Sequence, residues 1–193
     1  MKQEVFELDQ YYHIYNRGNN FEDIFIEERN YNYFLQLVAK YLLPITEIYA
    51  YCLLKNHFHL VLKIKSKEEV DVKFHNKIHL PFSNLFNAYT KSINKAYGRS
   101  GSLFQEHLKR IKIGDEDYLK QLIVYTHLNP VKHKFVDDFK SYKHSSYRSY
   151  FSESVTNLHR ELIVNLFEGL ENFEYCHYDR QDQILNSMEL DDE

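Results

Sequence analysis

The sequence predicts an α+β protein of the ferredoxin-like, split βαβ type. In this fold a four-stranded antiparallel sheet carries two helices on one face, and here an extra helix is expected near the open face. Strand and helix patterns over residues 10–130 follow the order β-α-β-β-α-β-α. Residues 51–65 alternate between apolar and polar side chains, as a half-buried strand does. The 193-residue chain is 44% hydrophobic with only 5 Gly and 3 Pro, a composition typical of an ordered domain.

The first half of the chain supplies two strands and a helix before the strand of residues 57–65. Residues 10–17 are aromatic and β-branched, which favours a strand. Apolar side chains recur at helical spacing over residues 28–43, and Pro44 ends that helix. Residues 45–54 form a second strand, and the Lys55–Asn56 pair lies where a hairpin turn would lead into the third.

The second half supplies two more helices and the fourth strand. Residues 66–80 are charged and irregular and predict a loop, and residues 81–97 carry an apolar stripe of helical period. Residues 106–114 alternate as a strand does. A third helix begins after Asp115, a good N-cap residue, and is expected to run to Pro130.

The charge of the chain is unevenly distributed. The net charge is −4, but residues 1–150 hold 22 basic and 17 acidic residues, whereas residues 151–193 hold 2 basic and 11 acidic ones. We therefore predict a domain over residues 1–150, followed by an acidic C-terminal helical extension or tail over residues 151–193, with short helices at 156–170. A moderately basic domain is compatible with binding to a phosphate backbone.

Membrane and secreted classes are not expected. No apolar run approaches the roughly 18 residues that a membrane span needs, and the first ten residues lack the apolar segment of a signal peptide. Two cysteines, Cys52 and Cys176, make neither a disulfide framework nor a four-cysteine metal site. We expect a cytoplasmic protein without a membrane partner.

Two histidines one residue apart give the first functional hypothesis. His57 and His59 share the polar face of the third predicted strand, so both rings point the same way. Two such imidazoles can bind one divalent metal ion. The alternative is a pair of histidines facing solvent, and a metal site needs a further ligand.

The third helix offers that ligand together with a nucleophile. Tyr125 and Asn129 are four residues apart and so lie on one helix face. The Asn129 amide oxygen could complete a site for a hard metal, with the Tyr125 phenol beside it. The alternatives are that Asn129 marks the end of the helix before Pro130 and that Tyr125 is a core residue. Tyr118 shares nearly the same stripe and competes for the nucleophile's role.

Five ordered motifs carry a family resemblance. Between about residues 10 and 150 the chain resembles the REP-associated tyrosine transposases, which belong to the HUH single-tyrosine insertion-sequence transposases. The motifs are "YYHIYNRGNN", "NHFHLVL", "GSLFQEHLKRIKI", "YTHLNPVKH" and "YKHSSYRSY". The chain departs from this pattern in "KHKFV" after Asn-Pro-Val, where relatives more often carry Arg-Ala-Gly; we expect an altered loop and no change in chemistry.

The resemblance implies a specific reaction. Tyr125 falls on the family's nucleophile, and His57, His59 and Asn129 fall on its metal ligands, for Mg²⁺ or Mn²⁺. The implied function is cleavage and joining of single-stranded DNA, commonly a hairpin at a repeat end, through a 5′-phosphotyrosine. Such a transposase would be mobile or domesticated and would act as a monomer or a homodimer. The resemblance also implies the ferredoxin-like fold.

Basic and polar side chains on the first and fourth predicted strands and in the loop after the first suggest a DNA-binding surface. Six polar and basic side chains are candidates for DNA contacts, with a solvated surface as the alternative for each: Arg17, Asn19, Asn20, Lys109, Arg110 and Lys112.

A second hypothesis for the function is a non-catalytic protein of the same fold that binds DNA hairpins. A third is a metal-dependent hydrolase, which would require a third His, Asp or Glu at the histidine pair.

Overall fold

Four strands form one antiparallel sheet in the computed structural model, which describes the backbone of residues 5–191 and the side chains of residues 5–185. Their bounds are β1 (Tyr11–Arg17), β2 (Thr46–Leu54), β3 (His57–Ile64) and β4 (Lys109–Ile113). The strand order is β2-β3-β1-β4, and every neighbouring pair is antiparallel. This is the order of a ferredoxin-like sheet and confirms the predicted fold class.

Five α-helices accompany the sheet in the described part of the chain. They are α1 (Glu28–Tyr41), α2 (His79–Tyr97), α3 (Glu116–Lys132), α4 (Arg160–Leu166) and α5 (Leu170–Asp191). None of the described helices is long and apolar enough to cross a membrane.

The first helix pair covers one face of the sheet. Phe58, Leu60 and Leu62 of β3 point to this side and are completely buried. Phe34 of α1 packs on Phe58, with ring centroids 5.2 Å apart. These contacts place the apolar face of the alternating strand in the core, as its pattern predicts.

The second face of the sheet is covered by α3, which contacts β2, β3 and β4. The predicted position of the extra helix is therefore confirmed, but the histidine face is not open to water. His57 and His59 are only 5% and 6% exposed. A helix lying across this face removes both imidazoles from solvent, which alternation within one strand could not reveal.

Helix α3 continues past the proline expected to end it. Pro130 lies inside the helix, which ends at Lys132, so the prediction that it ends at Pro130 was wrong. An interior proline removes one backbone hydrogen bond. Here the flanking Leu128 and Val131 are buried, and the amide of His133 donates to the Asn129 carbonyl at 3.0 Å. Tertiary packing therefore holds the last turn in place.

The C-terminal segment packs behind α3. Ile163 of α4 and Phe173 of α5 are completely buried, in the same cluster as Ile123 and Leu128 of α3. The last described helix thus supports α3 from the side away from the sheet.

Candidate metal and tyrosine site

Strand register brings the first residues of the site together. In the β1–β3 pair Arg17 lies opposite His57 and Tyr15 lies opposite His59. In the β1–β4 pair Tyr15 also lies opposite Lys109. Residues opposite one another in a sheet point to the same face, so all five side chains project toward α3.

A cavity of about 270 Å³ opens between this end of the sheet and the last turns of α3. Its walls combine imidazole, phenol and basic groups. The lining residues are Tyr15, Asn16, Arg17, His57, His59, Gln105, Lys109, Tyr125, Lys132 and His133. His57, His59 and Tyr125 were predicted to converge, and here they line one cavity.

The ring of His57 is fixed by the hairpin turn before it. Its Nδ1 lies 2.7 Å from the Asn56 side-chain oxygen. An amide oxygen only accepts, so the proton sits on Nδ1 of the neutral ring. The other nitrogen, Nε2, is buried without a hydrogen-bond partner. A lone pair held in this way is suited to a metal ion.

The ring of His59 is fixed by a histidine of the neighbouring strand. Its Nδ1 lies 2.9 Å from Nε2 of His13, and both rings are buried. With the proton on Nδ1 of His59, its Nε2 is the acceptor, as it is in His57. The rings of His57 and His59 stand edge to face, with centroids 5.3 Å apart.

Burial keeps the imidazoles neutral. It lowers the pKa of His57 from 6.5 to about 3, with smaller effects from His133 and Arg17, and it lowers the pKa of His13 to about 4. The pKa of His59 is held well below 6.5 by burial and by neighbouring histidines. Metal coordination requires the neutral form of each ring.

Tyr125 is placed beside the histidines by α3. Its ring meets that of His59 edge to face, with centroids 5.8 Å apart, and that of His13 at 6.1 Å. The Lys132 ammonium lies 4.8 Å from the centroid of the Tyr125 ring. Tyr118, the competing tyrosine, is partly buried against the apolar cluster shared by α3, α4 and α5 and does not line the cavity.

Asn129 is buried one helical turn from Tyr125. Its Nδ2 donates to the Tyr125 carbonyl at 2.8 Å, and its Oδ1 has no hydrogen-bond partner. Asn129 does not itself line the cavity, but Tyr125 and His133, one turn before and after it, both do. The helix therefore turns the Asn129 face toward the histidine end of the sheet.

The chemistry of the predicted donor set suits a small divalent cation. The set comprises two imidazole nitrogens and one amide oxygen, and two of these atoms, on His57 and Asn129, are buried without partners. Nitrogen ligands favour Mn²⁺ over Mg²⁺. Within the side chains described, no three His, Cys, Asp or Glu residues converge to hold a metal ion.

The candidate DNA contacts divide between the two faces of the sheet. Arg17 and Lys109 line the cavity, and Asn19 and Asn20 belong to the loop after β1. Arg110 and Lys112 point to the opposite face. There the Arg110 guanidinium carbon lies 4.5 Å from the Phe6 ring centroid, and Lys112 pairs with Glu7 at 2.9 Å.

Apart from Arg17, sequence reasoning missed the contribution of β1, and it missed that of the end of α3. The predicted site omitted His13, Tyr15, Lys132 and His133. The alternation of Tyr11, His13, Tyr15 and Arg17 contained a signal, because those side chains share one strand face. In the ferredoxin-like strand order β1 pairs with the histidine strand, so the predicted fold already brings these side chains beside His57 and His59.

Comparisons with known proteins support the fold. The chain is similar to a solved structure described as a REP-associated tyrosine transposase bound to a REP hairpin. The TM-score is 0.60 at 15% identity, and the match covers 79% of this chain and 86% of that one. No protein-family profile matches the chain, and none of the curated proteins does.

Proposed function

We propose that this protein cleaves and rejoins single-stranded DNA, using Tyr125 as the nucleophile and a divalent metal held by His57, His59 and Asn129. The observation that carries the proposal is the edge-to-face contact between Tyr125 and His59 in the cavity that His57 also lines. The similar structure is described as bound to a DNA hairpin, and we propose DNA of this kind as the substrate here.

The reaction exchanges one phosphodiester for another. The Tyr125 oxygen attacks phosphorus and loses its proton, the bond from phosphorus to the 3′-oxygen breaks, and that oxygen takes up a proton. The product is a 5′-phosphotyrosine and a free 3′-hydroxyl. In the joining step a 3′-hydroxyl attacks the phosphotyrosine and the tyrosine is restored. Bond energy is conserved, so a nucleotide cofactor is not needed.

Each residue has a defined task in this scheme. A bound divalent ion would neutralise charge on the non-bridging oxygens of the phosphate. Asn56 holds His57 in the tautomer that leaves Nε2 free, and His13 would do the same for His59 by accepting from its Nδ1. Arg17 and Lys109 supply positive charge at the cavity for the flanking phosphates.

A denaturing gel tests the proposal directly. A labelled single-stranded hairpin is incubated with the protein and Mn²⁺, and we expect a DNA adduct that survives denaturation. Tyr125→Phe should abolish the adduct, whereas Tyr118→Phe, on the same helix, should keep it. Persistence of the adduct in Tyr125→Phe would contradict the proposal. Binding without an adduct supports the non-catalytic alternative, and cleavage without an adduct supports a hydrolase.

One chain contains both halves of the proposed site. Tyr125 contacts His59 of its own chain, so we propose that the tyrosine acts in cis. Mixing the Tyr125→Phe and His57→Ala variants should then restore no adduct. Restoration would show that a partner chain supplies the tyrosine.

A further inference from the structure

The loop that follows β1 presents an aromatic ring to solvent at the edge of the site. Phe21 is 65% exposed, and the Arg17 guanidinium carbon lies 5.3 Å from the centroid of its ring. Arg17 also lines the histidine cavity. The exposed ring and the cavity are therefore linked through one basic side chain.

The backbone holds Phe21 in an unfavourable conformation. The φ angles of Asn20 and Phe21 are +51° and +61°, in the left-handed region. Asn tolerates this region, but a bulky residue such as Phe rarely occupies it. Such conformations persist only where surrounding structure imposes them, and they cluster at functional sites.

Three backbone hydrogen bonds impose the loop conformation. The Asn19 amide donates to the Leu103 carbonyl at 2.9 Å, and the Phe21 amide donates to the Gly18 carbonyl at 3.2 Å. The Gly18 amide donates to the Asn56 carbonyl at 2.8 Å, in the turn that also fixes His57. The ring is thus displayed from a loop attached directly to the histidine hairpin.

The pairing of Arg17 with Phe21 matches the chemistry of a nucleotide. A guanidinium group binds phosphate, and an exposed aromatic ring stacks on a base, which every unpaired nucleotide offers beside its phosphate. An exposed phenyl ring contributes little to the core, whereas stacking on an unpaired base would remove it from water.

Building on the proposed function, we propose that Phe21 stacks on an unpaired nucleobase next to the phosphate bound at the histidine cavity. The site would accept any base, because every base has a flat aromatic face. The loop would then position the strand, and recognition of the DNA sequence would come from other contacts.

Fluorescence of 2-aminopurine tests this placement. The probe replaces each base in turn along the single-stranded flank of a hairpin oligonucleotide, and Tyr125→Phe serves as the parent protein so that no strand is cut. We expect binding to quench the probe at one flank position. Phe21→Ala should abolish that quenching and weaken binding by roughly five- to hundredfold, the range for one lost base–aromatic stack. Phe21→Tyr should retain both properties.

Two controls make the result decisive. Phe151→Ala removes another exposed phenyl ring, whose neighbours are Tyr147 and Phe173, and should leave quenching and affinity unchanged. Phe21→Leu keeps apolar surface without an aromatic face and should behave like Phe21→Ala. If both Phe21→Ala and Phe21→Leu quench the probe as the parent protein does, the stacking proposal is wrong and the proposed function is unaffected. Failure of the parent protein to bind the hairpin at low salt overturns the proposed function as well.

Discussion

Acidification should destabilise the protein through a buried pair of imidazoles, His127 on α3 and His177 on α5. Nδ1 of His127 lies 2.9 Å from Nε2 of His177, and both side chains are completely buried. Nδ1 of His177 lies 2.6 Å from the Phe173 carbonyl, and Nε2 of His127 lies 2.7 Å from the Ser146 hydroxyl. This chain of hydrogen bonds connects the helix that carries Tyr125 to the last described helix.

The Phe173 carbonyl, at one end of this series of hydrogen bonds, fixes the direction of every proton in it. A carbonyl only accepts, so Nδ1 of His177 donates to Phe173 and its Nε2 must accept in the neutral ring. Nδ1 of His127 then donates to His177, and the Ser146 hydroxyl donates to Nε2 of His127. A proton added to His177 would place a charge in the core, and His127 would have to change tautomer to accept from it.

The magnitude follows from the pKa of His177. Burial lowers it from 6.5 to about 4, so the unfolded chain takes up a proton at a pH where the folded chain does not. The stability contributed by the neutral ring is complete above about pH 6.5 and is lost as the pH falls toward 4. For this one group the loss between pH 7 and pH 5 is about 2 kcal/mol.

Urea unfolding at pH 7 and pH 5, with a chelator present, measures this effect. The free energy of unfolding of His177→Gln should fall about 2 kcal/mol less than that of the wild type over this interval, because glutamine does not titrate. His107→Gln, which replaces a histidine whose side chain is 66% exposed, should follow the wild type. Equal losses in the wild type and His177→Gln would refute the reasoning.

Three further substitutions test the geometry of the site. Asn56→Ala removes the acceptor that orients His57 and should weaken Mn²⁺ binding by roughly 10- to 100-fold in calorimetric titration; unchanged affinity would show that the turn does not orient the ring. Arg17→Ala should reduce the steepness with which log affinity for single-stranded DNA falls against log salt concentration by about 0.7. Lys73→Ala, which removes a basic side chain away from the cavity, should keep the wild-type slope. Gly18→Ala should lower the free energy of unfolding by about 1–3 kcal/mol in urea titrations, because the added methyl group would collide with a backbone carbonyl of the loop. An unchanged free energy of unfolding would show that the loop can move.

The sheet and the histidine pair were accessible from sequence because they depend on local periodicity. Alternation placed His57 and His59 on one face, and helical spacing placed Tyr125 and Asn129 on one side of α3. These arguments need only the geometry of a single element. The covering of the histidine face by α3 depends on packing between distant segments, and no periodicity encodes it.

The remaining parts of the site depend on pairing across the chain. His13 contacts His59 because β1 lies between β3 and β4, and His133 reaches the cavity because α3 continues through Pro130. Pro130 was expected to end the helix because proline has no backbone amide to donate. Burial of the last turn outweighs the loss of that hydrogen bond. Local rules thus failed where tertiary contacts decided the outcome.

The position of Tyr125 is set from two sides of α3 at once. His127 follows Tyr125 by two residues, which rotates it by about 200° around the helix. Tyr125 therefore faces the histidine cavity while His127 faces α5 and the Ser146 hydroxyl, which accepts from the Tyr51 amide of β2 at 2.8 Å. Rotation of α3 about its axis would break these buried hydrogen bonds. The acidic C-terminal segment thus contributes to the proposed chemistry, because it fixes the orientation of α3 and so the position of Tyr125, the proposed nucleophile.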